Sequence, residues 1–336
     1  MRASGALFGL AYGDALGAPT EFMTVAEIEQ RYGAGGPGEI EGDPALVTDD
    51  TQMTLAVARA LVGGTAGIVE ALRDHFVRWW ESPDNNRAPG MTCLQACEKL
   101  AAGLPWREAT GASSKGCGAN MRVVPVGLVP DLSDDDRAGI AQLQSALTHG
   151  HPTALAACEL TAFAAHWLRG GMDPGDLTAA LRERCAQQRT EYREEWLADL
   201  WVRPGVSEPD EFIARGWDEC AAALDVLAAA GDDRDADPCL ATGAGWVAEE
   251  ALVTALHCFL LFRDEPVAAL SRAATTSGDS DSIACLTGAF AGAAHGLDAW
   301  PPEWAERIEH GDELPRSAGG GTDDHRLFWI GRSKTC

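Results

Sequence analysis

Apolar residues recur at helical spacing along almost the whole chain, and this periodicity constrains the fold more than any other feature. Leu55, Ala58, Leu61 and Val62 form one such set, and Val69, Leu72, Phe76 and Trp80 a second. Leu155, Cys158, Ala162, Ala165 and Leu168 form a third, and Leu252, Leu256, Phe259 and Leu260 a fourth. Spacing of three and four puts each set on one helix face. Strand-like alternation is rare, and its best candidate, residues 122–129, contains Pro125, which would remove a ladder hydrogen bond from a central strand. The chain is therefore expected to be all-α, without a significant sheet. Breaks rich in Gly, Pro or Asp fall at residues 33–44, 82–90, 130–136, 204–209, 231–238 and 311–322 and read as loops between helices. None is long and simple enough to be an inter-domain linker, and no fixed-period repeat points to a solenoid. A chain of 336 residues, 46% of them hydrophobic, can bury one large core or two ordinary ones. Acid-bearing segments at residues 13–51 and 278–282 lie near opposite ends, and if they act together the chain folds back on itself as one domain. That domain is expected to span residues 1–316, with a loosely held tail over 317–336.

Charge and cysteine usage narrow the class. No apolar run approaches the roughly 20 residues a membrane-spanning helix needs, and the run at residues 251–262 carries His257. A soluble, cytoplasmic protein is expected. Residues 1–12 have one positive charge and a short apolar core, as a signal peptide does, but Asp14 and Glu21 follow too soon. The ten cysteines are scattered without framework spacing and with no CxxC pair, which suits a reducing compartment. Cys93 and Cys97, four apart, read as two buried small side chains. A net charge of −25 argues against stable nucleic-acid binding. It leaves room for a small anionic ligand, because helix N-termini can hold a diphosphate and divalent cations reverse a local field.

Two acidic clusters carry the chemistry. Thr48-Asp49-Asp50-Thr51 immediately precedes a helical run, where Thr48 as a cap with acids in the first turn is also an ordinary way to begin a helix. Gly278-Asp279-Ser280-Asp281-Ser282 precedes another and places several hard oxygen ligands in one turn, a set suited to Mg²⁺ or Mn²⁺. It too has the plain reading of a capped helix. It lacks the twelve-residue loop and terminal Glu of a calcium-binding EF-hand. Four carboxylates gathered without metal would repel one another and raise their pKa values, a conflict that two divalent ions relieve.

These segments occur in a wider pattern. Gly9, Gly13-Asp14-Ala15-Leu16-Gly17 and Glu21, then Thr48-Asp49-Asp50-Thr51, Arg87-Ala88-Pro89-Gly90, Ser114 to Pro125, Thr148-His149-Gly150-His151-Pro152 and Gly278 to Ser282 follow one another over residues 5 to about 297. In content and order the chain resembles the ADP-ribosylglycohydrolases. The resemblance implies a compact, single-domain, multi-helix ADP-ribosylglycohydrolase-like fold with a dinuclear metal site. It implies that Thr48, Asp49, Asp50, Asp279, Asp281 and Ser282 share two Mg²⁺, with Mn²⁺ as a substitute and Ser282 where many relatives have Thr. Glu21 would lie on a mobile segment beside the metals, positioning water or protonating the leaving group, and Asp49, Asp50 and Asp281 would join it in catalysis. Gly116, Cys117, Gly118, Asn120 and Met121 would line the diphosphate and ribose, with His151 as a further contact and His149 structural. Many relatives have Asn at the position of Cys117, so its side-chain contact differs here. A nucleophilic role for Cys117 lacks an adjacent base.

The implied reaction is Mg²⁺-dependent hydrolysis of the glycosidic bond between ADP-ribose and a modified target, with arginine favoured over serine. The expected partners are ADP-ribose or an ADP-ribosylated protein, and a monomer is expected. Two alternatives remain open at this level: a metal-dependent phosphohydrolase of ADP-ribose derivatives, and a silent ADP-ribose-binding or crystallin-like protein. The pairs Trp79/Trp80 and Trp300/Trp304 fit helix packing, and Glu249 and Glu250 read as a polar helix face.

Overall fold

The N-terminal helix Arg2–Gly17 has glycine at every fourth position, Gly5, Gly9, Gly13 and Gly17, and so bares a strip of backbone along one face. The helix Ser280–His295 answers with Gly288 and Gly292. A Cβ on Gly9 would lie 2.3 Å from the Gly288 carbonyl oxygen, one on Gly13 2.0 Å from that of Ala284, and one on Gly292 2.0 Å from that of Gly5. The two backbones therefore touch, in antiparallel register. Consequently Gly17 lands on the start of the other helix, where its Cβ would meet the Asp281 Cα at 2.5 Å. This contact joins the two ends of the chain and brings the two acid-bearing segments together.

The structure, a computed structural model, describes residues 1–314. Among them the secondary structure is helical with no strand, only three isolated bridges, in agreement with the all-α expectation. The expected boundary at residues 316 and 317, and the tail after it, lie outside the described residues. Pro125, the residue that argued against a strand, sits in the first turn of the short helix Val124–Leu128, where a missing N–H costs nothing. Other helices start in the same way. Prolines open Pro152–Arg169, Pro174–Gln188 and Pro209–Ala229, and Thr24 closes a capping box with Glu27.

The helix Pro152–Arg169 runs through the interior, with Leu155, Phe163 and Leu168 fully buried. Gly216 of Pro209–Ala229 and Gly127 of Val124–Leu128 let those helices approach its backbone, each with no space for a Cβ. Trp300 and Trp304 pack edge-on against Tyr12 at 5.9 and 5.2 Å between ring centroids. Trp300 Nε1 also donates to the Gly5 carbonyl at 2.9 Å. Both tryptophans thus brace the N-terminal helix as packing groups. No helix among the described residues is long and apolar enough to cross a membrane.

Candidate active site

Thr48 caps the helix Asp49–Leu61, its side chain accepting from the Asp50 N–H, and Asp49 and Asp50 fill the first turn. An ordinary cap would leave those acids in water. Here Asp49 is 7% exposed and Asp50 2%. Beneath them lies Asp14, fully buried on the N-terminal helix. Its carboxylate accepts from the Thr48 N–H at 3.0 Å, the Thr48 hydroxyl at 2.8 Å, the Thr51 N–H at 3.1 Å and the Thr51 hydroxyl. Asp14 therefore fixes the turn that carries Asp49 and Asp50. No site role was expected of it, although one signal was present: between Ala3 and Gly17 it is the sole charged residue.

The second cluster is equally buried, with Asp279 3%, Asp281 5% and Ser282 2% exposed. It is tied to the Glu21 segment through hydroxyls. Ser280 Oγ donates to the Gly17 carbonyl at 3.0 Å, and Thr20 Oγ1 donates to the Ala274 carbonyl at 2.7 Å and lies 3.0 Å from Ser280 Oγ. Glu21 thus stands over the second cluster. One carboxylate oxygen from each of Glu21, Asp279 and Asp281 lies within 4.8 Å of the others. Glu21, Asp49, Asp50, Asp279, Asp281 and Ser282 all line one cavity of about 310 Å³, which Gly116, Cys117, Gly118 and Met121 line as well. A 360 Å³ hollow bounded by Gln52, Arg59, Arg78 and His310 contains none of this acid set.

Gathering these acids has the electrostatic consequence expected of it. Burial, reinforced by Asp281, Asp49 and Asp14, pushes Glu21 up to about 8. Burial and Asp281 push Asp49 up to about 7. Burial raises Asp14 to about 6 against the opposing hydrogen bonds from Thr51 and Thr48. Asp50 and Asp279 are driven well above the usual carboxylate range by burial first and Asp281 next. Asp50 Oδ1 is also buried without a hydrogen-bond partner. An orphaned carboxylate oxygen among mutually repelling acids, with the Ser282 hydroxyl beside them, is the hard-oxygen donor set that a divalent cation satisfies.

The glycine loop of the cavity is built on a buried cation. Arg122, fully buried, donates to the Gln144 side chain, the Gln144 carbonyl and the Thr148 hydroxyl, each at 2.8 Å, and its guanidinium lies 4.3 Å from the Phe76 ring centroid. Gln144 in turn donates to the Ala119 carbonyl at 3.0 Å, and Asn120 Nδ2 to the Ala248 carbonyl at 3.1 Å. These bonds hold the Gly116–Met121 loop in place. Asn120 thus shapes the loop from behind, away from the cavity lining. His149 lines the cavity and is kept neutral, lowered to about 3 by burial and then by Arg122. His151 instead caps Pro152–Arg169 by accepting from the Thr153 N–H, and it is not among the lining residues. Thr48 likewise turns its hydroxyl to Asp14. Cys117 donates its thiol hydrogen to Asp279 Oδ2 at 2.8 Å, and burial followed by the Asp279 charge holds it protonated, which does not suit a nucleophile. Glu249 and Glu250 depart from the polar face expected of them. Glu249 is buried against Lys115, which also pairs with Glu219 at 3.0 Å, and Glu250 accepts from the Gly245 N–H at 3.3 Å.

The family model for ADP-ribosylglycohydrolase matches residues 1–328. The chain belongs to the ADP-ribosylglycohydrolase family. Members are hydrolases acting on glycosyl bonds, and the chain is an enzyme of that class. It is 28% identical to the ADP-ribosyl-[dinitrogen reductase] glycohydrolase of Rhodospirillum rubrum over 92% of this chain and 90% of that one. An ADP-ribosylarginine hydrolase of Serratia proteamaculans is 26% identical, over 94% of this chain and 78% of its own length. An ADP-ribosylhydrolase of Xenopus tropicalis is 28% identical, over 90% and 89%. A solved structure described as an ADP-ribosylglycohydrolase-related protein complex shares the fold, with a TM-score of 0.65 and 24% identity, covering 93% of this chain and 94% of that one.

Proposed function

We propose that this ADP-ribosylglycohydrolase removes ADP-ribose from arginine side chains in a reaction that needs two divalent cations, Mg²⁺ or Mn²⁺. The observation that carries the reading is the convergence of Glu21, Asp49, Asp50, Asp279 and Asp281 on one cavity, with Asp50 Oδ1 unpartnered. Asp49, Asp50, Asp279, Asp281 and Ser282 would hold the ions, and Thr48 would join them only through an oxygen lone pair, its hydroxyl hydrogen being given to Asp14. When bound, they supply charge to orient the ribose hydroxyls and lower the pKa of a water.

The chain's own groups account for the rest. Glu21, which burial raises to about 8 in the metal-free chain, stands at the cavity, where it can give a proton to the departing nitrogen. The C–N bond breaks, water forms the new C–O bond at the anomeric carbon, and the proton lost by the water passes to Asp281. The ring acquires oxocarbenium character on the way, which surrounding carboxylates stabilise. The glycines of the Gly116–Met121 loop leave backbone open to the diphosphate. A leaving group that is itself a guanidinium suits an acid-lined cavity, which supports arginine over serine, as does likeness to an ADP-ribosylarginine hydrolase.

Release of free ADP-ribose from arginine-linked and serine-linked peptides, followed by mass with Mg²⁺ and with EDTA, tests the proposal. Metal-dependent release from the arginine peptide is expected. AMP as product would instead indicate attack on phosphorus, and equal release with EDTA would remove the metals from the reading.

A further inference from the structure

The carboxylate cluster has a second kind of donor on its wall. Cys117 Sγ lies 2.8 Å from Asp279 Oδ2, one of the acids proposed above to hold a cation, and 3.7 Å from Ser282 Oγ. Met121 Sδ lies 3.9 Å from the same hydroxyl. The Ser282 hydroxyl therefore has two sulfurs near it. Both side chains line the cavity with the acids, among them Asp50, whose Oδ1 has no hydrogen-bond partner. A set of oxygens alone selects hard cations such as Mg²⁺, whereas a thiolate among them draws thiophilic ones. The other cysteine of the cavity, Cys93, directs its sulfur to the Gly118 carbonyl at 3.7 Å and to Arg122 at 3.5 Å, so it is engaged by the loop and a fixed positive charge and not by the acids. That leaves Cys117 as the sulfur placed to reach a cation held by Asp279.

We infer that Cys117 is a ligand in waiting, through which the acidic cluster binds Zn²⁺ or Cd²⁺ with a sulfur–metal bond in competition with the hard cations. The inference rests on the reading that the cluster holds divalent metal. On binding, the S–H bond of Cys117 breaks, the sulfur–metal bond forms and the proton leaves to solvent, with no change in oxidation state. Asp279 then shares one ion with the sulfur that had been its hydrogen-bond donor. The enzyme would be held in a metal-loaded but misligated state by trace zinc, and a chelator that prefers zinc would release it.

The test is a Cd²⁺ titration of the metal-free full-length chain, reduced with a phosphine, following sulfur-to-cadmium charge-transfer absorption in the ultraviolet. Mn²⁺ binding is measured separately by electron paramagnetic resonance. Wild type should develop the band with one equivalent of Cd²⁺, and excess Mn²⁺ should bleach it. Cys117→Ser should lose the band and bind Cd²⁺ at least about tenfold more weakly, as expected for loss of a soft ligand, while still binding Mn²⁺. Cys117→Asn provides a second variant should the serine protein fold poorly. A band that survives both substitutions, or its absence from wild type that binds Mn²⁺, overturns the role of Cys117. Failure of both Mn²⁺ and Cd²⁺ to bind wild type overturns the metal reading itself.

Discussion

Asp14 is not among the cavity's lining residues, yet the turn that carries Asp49 and Asp50 depends on it. Its carboxylate accepts from two backbone N–H groups and two hydroxyls at the first turn of Asp49–Leu61. Asp14→Asn puts an NH₂ group, a donor, against that set and leaves a buried N–H without an acceptor, at a cost of about 1–3 kcal/mol. We expect a lower urea midpoint together with Mn²⁺ affinity reduced by about 10–100-fold, the usual effect of losing a group that orients metal ligands. Asp50 behaves oppositely because it is itself buried among like charges. Asp50→Asn and Asp281→Asn should leave the metal-free protein as stable as wild type or more so, since each removes a source of repulsion. Turnover should nevertheless fall by about a hundredfold or more. Parallel unfolding and ADP-ribose release assays separate the two classes, and near-normal activity in both Asp50→Asn and Asp281→Asn would end the site assignment.

Two glycine-bearing helices from opposite ends of the chain set the spacing of the acids. A methyl group at Gly9 or Gly13 must displace backbone, because the atoms it would strike are the Gly288 and Ala284 carbonyls. Overpacking of this kind typically costs about 1–3 kcal/mol, so Gly9→Ala and Gly13→Ala should both lower the thermal midpoint. Gly13→Ala should also reduce kcat more than Gly9→Ala does, since it wedges the pair apart next to Asp14 and the Ser280 turn. Equal losses of activity would show that the pair matters for stability alone. Helical periodicity made this all-α architecture legible in the sequence, and the two acid clusters stood out as helix starts. Their meeting did not follow from spacing, because it depends on backbone contact between residues about 280 positions apart. The roles of Asp14 and Arg122 were hidden for a related reason. Each acts through hydrogen bonds to distant or non-periodic partners, which residue type alone does not reveal. His149 and His151 show the same limit at close range, where a two-residue step decides which ring faces the cavity and which caps a helix.

At the scale of the whole molecule, the raised carboxylates link folding to pH and to metal. Glu21, Asp49 and Asp14 hold their protons up to about 8, 7 and 6 in the folded chain, whereas unfolded carboxyls release theirs near about 4. Between these limits the three carboxyls bind more protons in the folded state than in the unfolded one, so their contribution to the stability of the metal-free protein falls as pH rises. For these three groups the loss begins as pH passes the unfolded values and is complete once it exceeds about 8, the highest of their folded values. Divalent cations act in the opposite direction. They bind the ionised cluster of the folded state, displace its protons and stabilise that state by mass action. The carboxyls should therefore lower the thermal midpoint of the EDTA-treated protein between pH 7 and pH 8, above the range in which His149 and His151, held neutral in the folded chain, act with the opposite sign, while the increase on adding Mg²⁺ should be larger at pH 8. The difference should shrink in Asp50→Asn, where one of the repelling charges is gone. A midpoint independent of pH, with no larger metal response at pH 8, would mean that the acids do not share the buried cluster from which both the metal site and the Glu21 proton were argued.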